Sequence, residues 1–294
     1  MEFSIIIPVA PNRNAEILEC LKTVDYPKEK YEIIVENGVN PSENRDRGIK
    51  KSKFDTLVFL DDDAYIENDF LTRIKDFFDK HPDYDIVGGI QLTPKEDGIF
   101  AKVSGIALSS FFGAYRMKNR YSATKLNLDA CEKDLTSAVC IIKKHVFTKI
   151  SDFNPKYFPG EDPELFIRAK KNNFKLASDP NLKIYHKRRP NINSFIKQIY
   201  FYGKVRPKIS KNSLTSVFIV PSLFLIYLLI LPILFFISRF FLIPLGLYII
   251  LAISFSLYES INNKNLLAFI LLLLLYPIMH ISYGVGFIVG IISK

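Results

Sequence analysis

The chain has 294 residues, 39 Lys and Arg against 30 Asp and Glu, a formal net charge of +9 and 49% apolar residues. The charge is unevenly placed: Met1 to Asp179 carries 27 basic and 29 acidic residues, whereas Pro180 to Lys294 carries 12 and 1. A basic excess that abuts uncharged apolar runs argues for lipid headgroups and against nucleic acid, and three cysteines, Cys20, Cys131 and Cys140, odd in number and without metal-ligand spacing, suit a reducing compartment and small core-filling roles.

Up to about residue 185 the sequence alternates short β-rich runs with charged helical stretches, the pattern of an α/β domain with a largely parallel sheet. Strands are predicted at Phe3 to Val9, Glu32 to Glu36, Thr56 to Leu60 and Asp85 to Ile90. The first run contains Pro8 and lacks a basic flank or cleavage site, so it reads as a core strand and not as a signal peptide, and this domain is expected in the cytosol. Asn14 to Val24 places Ile17, Leu18, Leu21 and Val24 at helical spacing to cover one sheet face. Ser42 to Ser52 and Asn68 to Lys80 are the next two predicted helices. Gly98 to Asn119 is apolar without a clear period and is expected to form helix and loop.

Further on, nine basic residues and no acidic one stand between Lys183 and Lys211, where a juxtamembrane stripe is expected. Asn191 to Val205 sets Ile192, Phe195, Ile196, Ile199 and Gly203 on one stripe, with Asn193, Lys197, Gln198 and Lys204 away from it. This predicts an amphipathic helix in the bilayer interface; a surface helix packed on the globular domain is the plainer alternative. Leu214 to Ser238, Phe240 to Tyr258 and Asn265 to Ser293 are uncharged runs, and a crossing takes about 20 helical residues. Three spans are therefore predicted, with Pro221, Pro232, Pro244 and Pro277 inside them. Arg239 alone separates the first two, as a tight non-cytoplasmic turn should, and the basic flank before Leu214 predicts that the α/β domain lies on the cytoplasmic side, with Lys294 outside after an odd number of crossings. The expected organisation is an α/β domain over 1–189, an interfacial linker over 190–212 and a membrane domain over 213–294.

The chemistry is concentrated at two places. At the predicted end of the third strand stands Leu60-Asp61-Asp62-Asp63-Ala64. Adjacent carboxylates repel, and ligands of open parallel sheets bind beyond the carboxyl ends of the strands. In extended chain Asp61 and Asp63 project to one side, where both face a divalent ion bridging a diphosphate; a solvated acidic turn is the alternative. Glu161-Asp162-Pro163 is the second place. Asp as N-cap with Pro at the first helical position is a good helix start, and a carboxylate held there suits a general base as well.

These residues resemble the family 2 glycosyltransferases over most of Met1 to Ile184. Ser4-Ile5-Ile6-Ile7-Pro8-Val9 is similar to the family's opening strand, Tyr31-Glu32-Ile33-Ile34-Val35 to its second strand, and Arg45-Asp46-Arg47-Gly48-Ile49 to its Arg-Asn-x-Gly helix. Val58-Phe59-Leu60-Asp61-Asp62-Asp63 is similar to its Asp-x-Asp strand end, and Phe153 to Asp162 to its acceptor-side segment. The resemblance implies a GT-A fold, Rossmann-like with a mostly parallel central sheet, a nucleotide-diphosphate sugar donor, Mg2+ or Mn2+, and inversion at the anomeric carbon. By position, it implies that Asp63 ligates the metal, that Asp61 holds the ribose or the metal shell, and that Asp162 is the base. Pro8, Val9, Glu36, Arg45 and Asp62 fall on the donor side and Glu161 on the acceptor side. Glu36 stands where the family usually has an Asp that reads the nucleobase, and Asp46 replaces the usual Asn.

After a predicted edge strand comes Ile184-Tyr185-His186-Lys187-Arg188-Arg189. His186 is a candidate third metal ligand, and Arg188 and Arg189 are candidates for neutralising a diphosphate; a basic lipid-facing loop is the alternative. Gln198 and Tyr202 to Arg206 resemble the interfacial helix of membrane-bound family members, near the acceptor. The expected activity is transfer of one sugar to a lipid-linked saccharide at the cytoplasmic membrane face. A polyprenyl-phosphate hexose synthase, whose phosphate acceptor needs no general base, and a non-catalytic nucleotide-sugar-binding scaffold are the rivals.

Overall fold

The computed structural model describes residues 1–209 and 217–293. In chain order its first elements are β1 Phe3–Val9, α1 Ile17–Leu21, β2 Tyr31–Asn37, α2 Pro41–Lys51, β3 Thr56–Leu60, β4 Ala64–Tyr65, α3 Phe70–Lys80 and β5 Ile86–Leu92. There follow α4 Ile99–Ser109, α5 Phe111–Ala114, α6 Asn119–Ser122, β6 Val139–Lys143, α7 His145–Ile150, α8 Glu161–Lys171 and β7 Leu176–His186. Four longer helices close the chain: α9 Ile192–Ile209, α10 Val220–Ile237, α11 Ile243–Asn262 and α12 Leu266–Ile292. They divide into two compact units, Met1–Pro94 with Asn119–Lys187, and Lys95–Lys118 with Arg188–Lys294.

The first unit is built on one seven-stranded sheet in the order β2-β1-β3-β6-β5-β7-β4. β1 pairs in parallel with β2 and β3, and β5 with β7, whereas β6 runs antiparallel between β3 and β5 and β4 runs antiparallel to β7. The sheet is thus mixed, with parallel pairs β2-β1-β3 on one side of β6 and β5-β7 on the other. β6, absent from the predicted strands, supplies the reversal, and β7 is covered at its end by β4 and is not an edge there.

Successive residues of a strand face opposite sides, and β1 and β3 are apolar on both. Ile5, Ile7, Val58 and Leu60 pack with Ile17, Leu21, Phe70, Leu71, Ile74 and Phe77 under α1 and α3. Ile6, Leu57 and Phe59 pack with Ile49, Val146, Leu165 and Phe166 under α2, α7 and α8. Burying one such side chain stabilises by about 1.5–3 kcal/mol, so these two layers fix the strand ends that carry the polar residues. Gly48 lets α2 lie directly on β1, because a Cβ there would run into the Ile6 side chain. Pro8 lies beyond the last β1–β3 pair, Ile6 with Phe59, so it takes no hydrogen bond from that ladder. α2 begins where Asn40 accepts the Ser42 N–H at 3.0 Å and Pro41 takes the first turn. α1 is shorter than the predicted Asn14 to Val24 helix: the residues before Ile17 form a loop, and the Ile17 N–H bonds the Asp62 carbonyl at 3.2 Å.

In the second unit, Val217–Ile237, Arg239–Asn262 and Leu266–Ile292 are long and apolar enough to cross a membrane. The second continues past the predicted end at Tyr258 and takes in Glu259. The start of the first predicted span at Leu214, and Lys211 and Lys294, lie outside the described residues. α9 fits the predicted amphipathic helix, but its buried stripe is used within the unit. Gly203 and Gly286 let α9 and α12 meet backbone to backbone, since a Cβ on either would strike the carbonyl of Tyr283 or Tyr200. Phe195 meets Phe100 of α4, while Ile192 and Ile196 stay exposed. Residues 95–118, expected in the catalytic domain, group with these helices: Ser110 takes a hydrogen bond from Tyr276 at 3.0 Å, and the Phe112 carbonyl from His280 at 2.9 Å.

Candidate active site

Three strand ends converge on the site. β1 and β2 finish side by side, with Pro8 opposite Glu36 and Val9 opposite Asn37, and β3 finishes at Leu60 directly before the acidic triplet. On the far side, the β4–β7 pairing sets His186 opposite Ala64 and so beside Asp63. His186 Nε2 lies 3.1 Å from Asp63 Oδ1 and 3.4 Å from Asp61 Oδ2. Asp61, Asp63 and His186 each offer a ligand atom within 4.8 Å of the others, a group that can hold a metal ion. Two carboxylate oxygens and one imidazole nitrogen suit a divalent cation such as Mg2+ or Mn2+. The buried Nδ1 of His186 has no hydrogen-bond partner among the described residues, so its donor capacity is committed on the Nε2 side alone.

The electrostatics follow from this crowding. Burial opposes charge on Asp63, but the hydrogen bond to His186 and the Arg13 ion pair outweigh it and hold the carboxyl far below its ordinary range. Burial likewise opposes charge on His186, and its bonds to Asp61 and Asp63 raise it to about 9. Asp62 is 4% exposed, and burial with the neighbouring charge of Asp63 pushes it up to about 6. Its Oδ1 is 3.1 Å from Arg13 Nη2, and Oδ2 lacks a partner among the described residues.

Arg45 is not an open donor-side cation. It is 4% exposed, donates from Nη1 to Glu161 Oε1 at 2.8 Å and from Nη2 to Asp61 Oδ1 at 3.1 Å, and lies over the Phe153 ring. One guanidinium therefore ties the acidic strand end to the residue preceding Asp162. Burial raises Glu161 to about 7 against the pull of Arg45. Asp46 does not face a nucleobase either: it accepts the Phe153 N–H at 2.9 Å, and burial pushes it up to about 6. Both ends of the 153–161 loop are thus fastened to α2.

Asp162 was expected as an N-cap. The cap is instead Gly160, and α8 starts at Glu161. Asp162 turns its carboxylate to the Ser137 N–H at 3.3 Å, with Arg120 Nη1 at 4.0 Å. Glu36 is 5% exposed and holds Arg47 Nε at 3.0 Å and Lys51 Nζ at 2.5 Å; burial opposes its charge, but these two cations keep it below the ordinary carboxylate range. Its oxygens are both engaged, which Asp at this position could not reach as far to do. Arg188, Arg189 and Gln198 belong to the second unit, where the Arg188 N–H bonds Asp97 at 3.0 Å and Gln198 donates to Tyr202 at 3.0 Å.

Three residues went unnoticed in the sequence: Arg13, Arg120 and Ser137. Nothing in their local pattern marks them, because Arg13 reaches its carboxylates across 50 positions and Ser137 sits just before the unpredicted β6.

Comparison with known proteins places this geometry. Residues 1–200 match the family described as Glycosyltransferase like family 2. A curated relative from Methanococcus voltae is 24% identical over 69% of this chain and 72% of its own length; it is named dolichyl N-acetyl-alpha-D-glucosaminyl phosphate 3-beta-D-2,3-diacetamido-2,3-dideoxy-beta-D-glucuronosyltransferase. Among solved structures, the mannosyltransferase PcManGT from Pyrobaculum calidifontis in complex with GDP-Man and Mn2+ is similar over 100% of this chain and 88% of that one, with a TM-score of 0.56 and 11% identity. S. aureus TarS aligns with a TM-score of 0.49 at 16% identity over 69% of this chain, which spans 39% of that longer protein. The sheet unit has a GT-A fold, and with the family match covering well over half of its length, the chain belongs to the glycosyltransferase like family 2.

Proposed function

We propose that the protein transfers a sugar, with inversion, from a nucleoside-diphosphate donor to a hydroxyl of a lipid-linked saccharide at the membrane. The observation that carries this reading is the buried Arg45 guanidinium, which holds Asp61 of the acidic group and Glu161 next to Asp162 and so ties the candidate cation site to the candidate base. The GDP-Man and Mn2+ of the mannosyltransferase and the dolichyl-linked substrate in the Methanococcus relative's name support it.

In this mechanism Asp61, Asp63 and His186 would hold a divalent cation, which would offset the negative charge of the donor diphosphate. Pro8, Val9, Glu36 and Asp62 line the donor side. Asp162, oriented by the Ser137 N–H and Arg120, takes the proton of the acceptor hydroxyl as that oxygen bonds the anomeric carbon. The bond from the anomeric carbon to the diphosphate oxygen breaks on the opposite face, and the electron pair leaves with the nucleoside diphosphate. Arg45 touches neither substrate and acts as a positioning residue. The basic residues preceding the apolar helices support a cytoplasmic orientation of the sheet unit.

A thermal-shift panel of nucleoside diphosphates with and without Mn2+ on the detergent-solubilised full chain tests the reading, since a ligand at 100 times its Kd stabilises by about 2.7 kcal/mol. A selective, Mn2+-dependent shift is expected. Its absence for every nucleotide defeats the proposal, and a full shift without any turnover leaves the binding scaffold in its place. Turnover with Asp162→Asn nearly silent identifies a phosphate acceptor and the polyprenyl-phosphate synthase.

A further inference from the structure

The loop after β1 carries a cation that the mechanism above does not use. Arg13 reaches from that loop to the acidic triplet and makes both of its ion pairs through one nitrogen: Nη2 lies 2.8 Å from Asp63 Oδ2 and 3.1 Å from Asp62 Oδ1. The oxygen it takes from Asp63 is not the one that faces His186, which is Oδ1. Arg13 and a cation held by Asp61 Oδ2, Asp63 Oδ1 and His186 therefore do not compete for an atom. They flank the same carboxylate from its two sides.

Two positive groups side by side are stable when an anion bridges them, and a guanidinium is shaped for phosphate oxygens. The Arg13 side chain is 46% exposed, and its Nε and Nη1 make no hydrogen bond among the described residues. Its turn is held by the Arg13 N–H to the Ala10 carbonyl at 3.2 Å, and three residues on Glu16 is tied to Lys187 at 2.6 Å, so the loop is fastened on both sides of the guanidinium.

We propose that Arg13 is a donor-binding residue: its Nη2 keeps Asp63 in place, and its remaining N–H groups grip a phosphate oxygen of the nucleoside diphosphate beside the cation. This rests on the donor-site reading above. The assignment accounts for a half-exposed loop arginine that pairs with two carboxylates through one nitrogen and leaves its other N–H groups uncommitted among the described residues.

The test uses the full chain in detergent with Arg13→Gln and Arg13→Lys. Mn2+ binding alone is followed by the electron paramagnetic resonance of the free ion, and GDP, UDP and inorganic phosphate binding with saturating Mn2+ by calorimetry. Loss of a charge-assisted, two-pronged contact is expected to weaken the preferred nucleoside diphosphate about 10-fold or more in Arg13→Gln, with Arg13→Lys between it and the native chain. Mn2+ affinity without nucleotide stays within about 3-fold, since an exposed ion pair contributes little. Unchanged nucleotide affinity in Arg13→Gln overturns the inference and leaves the donor-site reading standing. An equal loss for Mn2+ alone also overturns it, making Arg13 a support for Asp63 only. Weakened inorganic phosphate with intact nucleoside diphosphate moves the contact to another phosphate and overturns it too. A native chain that binds no nucleoside diphosphate removes both readings together.

Discussion

Replacing Arg45 by Met is the most informative single change in the sheet unit. The guanidinium is 4% exposed and makes ion pairs of 2.8 Å to Glu161 and 3.1 Å to Asp61. Methionine fills much of the volume but leaves two carboxylates facing each other without their cation. Removing one partner of a buried pair costs about 3–5 kcal/mol. At roughly 2–4 °C per kcal/mol for a unit of this size, the melting temperature should fall by about 6–20 °C. Glu161 modulates that loss, because burial already raises it to about 7 from 4.5. A carboxyl whose folded value is raised binds its proton more tightly when folded, so its contribution is complete below about 4.5 and is lost as pH rises toward about 7. Without Arg45 the acid rises further and protonates sooner, so the variant escapes part of the penalty at low pH, by up to about 1.4 kcal/mol per pH unit. Thermal unfolding of the detergent-solubilised chain at pH 6 and pH 8 should therefore show the larger drop at pH 8. Adding Glu161→Gln should recover much of it, whereas Arg45→Lys alone should not restore both contacts. A shift under about 2 °C, or one equal at the two pH values, refutes the bridging role.

The other expectations concern turnover, metal and packing. Asp162→Asn should lower turnover with a hydroxyl acceptor by about two to four orders of magnitude with nucleotide binding kept, measured by product formation against calorimetric affinity. Asp63→Ala should abolish the Mn2+-dependent part of the nucleotide thermal shift; a shift that persists unchanged places the cation elsewhere. Gly286→Leu puts a side chain against the Tyr200 carbonyl and should leave a chain that aggregates in mild detergent on size-exclusion chromatography, whereas Gly98→Ala, with open space around it, should not.

Much of the frame was legible before any coordinates. Residues 3–9 and 56–60 form strands because apolar residues on both faces suit a strand covered on two sides, and the acidic triplet after the second stands out because three adjacent carboxylates repel one another at a strand end. The three long apolar runs identify themselves by length. β6 was not legible: it follows a long irregular stretch and its short apolar run has no periodicity to separate it from a helix. Residues 95–118 were misplaced for a related reason. An 11-residue apolar helix, Ile99–Ser109, is too short to declare itself by crossing length, and only its packing on α12 assigns it to the second unit.

The site divides along the same line. The local sequence by itself determined which residues carry charge at strand ends and helix starts, because Asp61, Asp63 and Glu161-Asp162 are marked by what immediately precedes and follows them. Tertiary structure alone decided their partners. Arg45 finds Glu161 across 116 positions and Arg13 finds Asp63 across 50, and His186 arrives through the pairing of a two-residue strand. Such contacts depend on the order in which strands are laid into the sheet, and no periodicity or capping signal along the chain encodes that order.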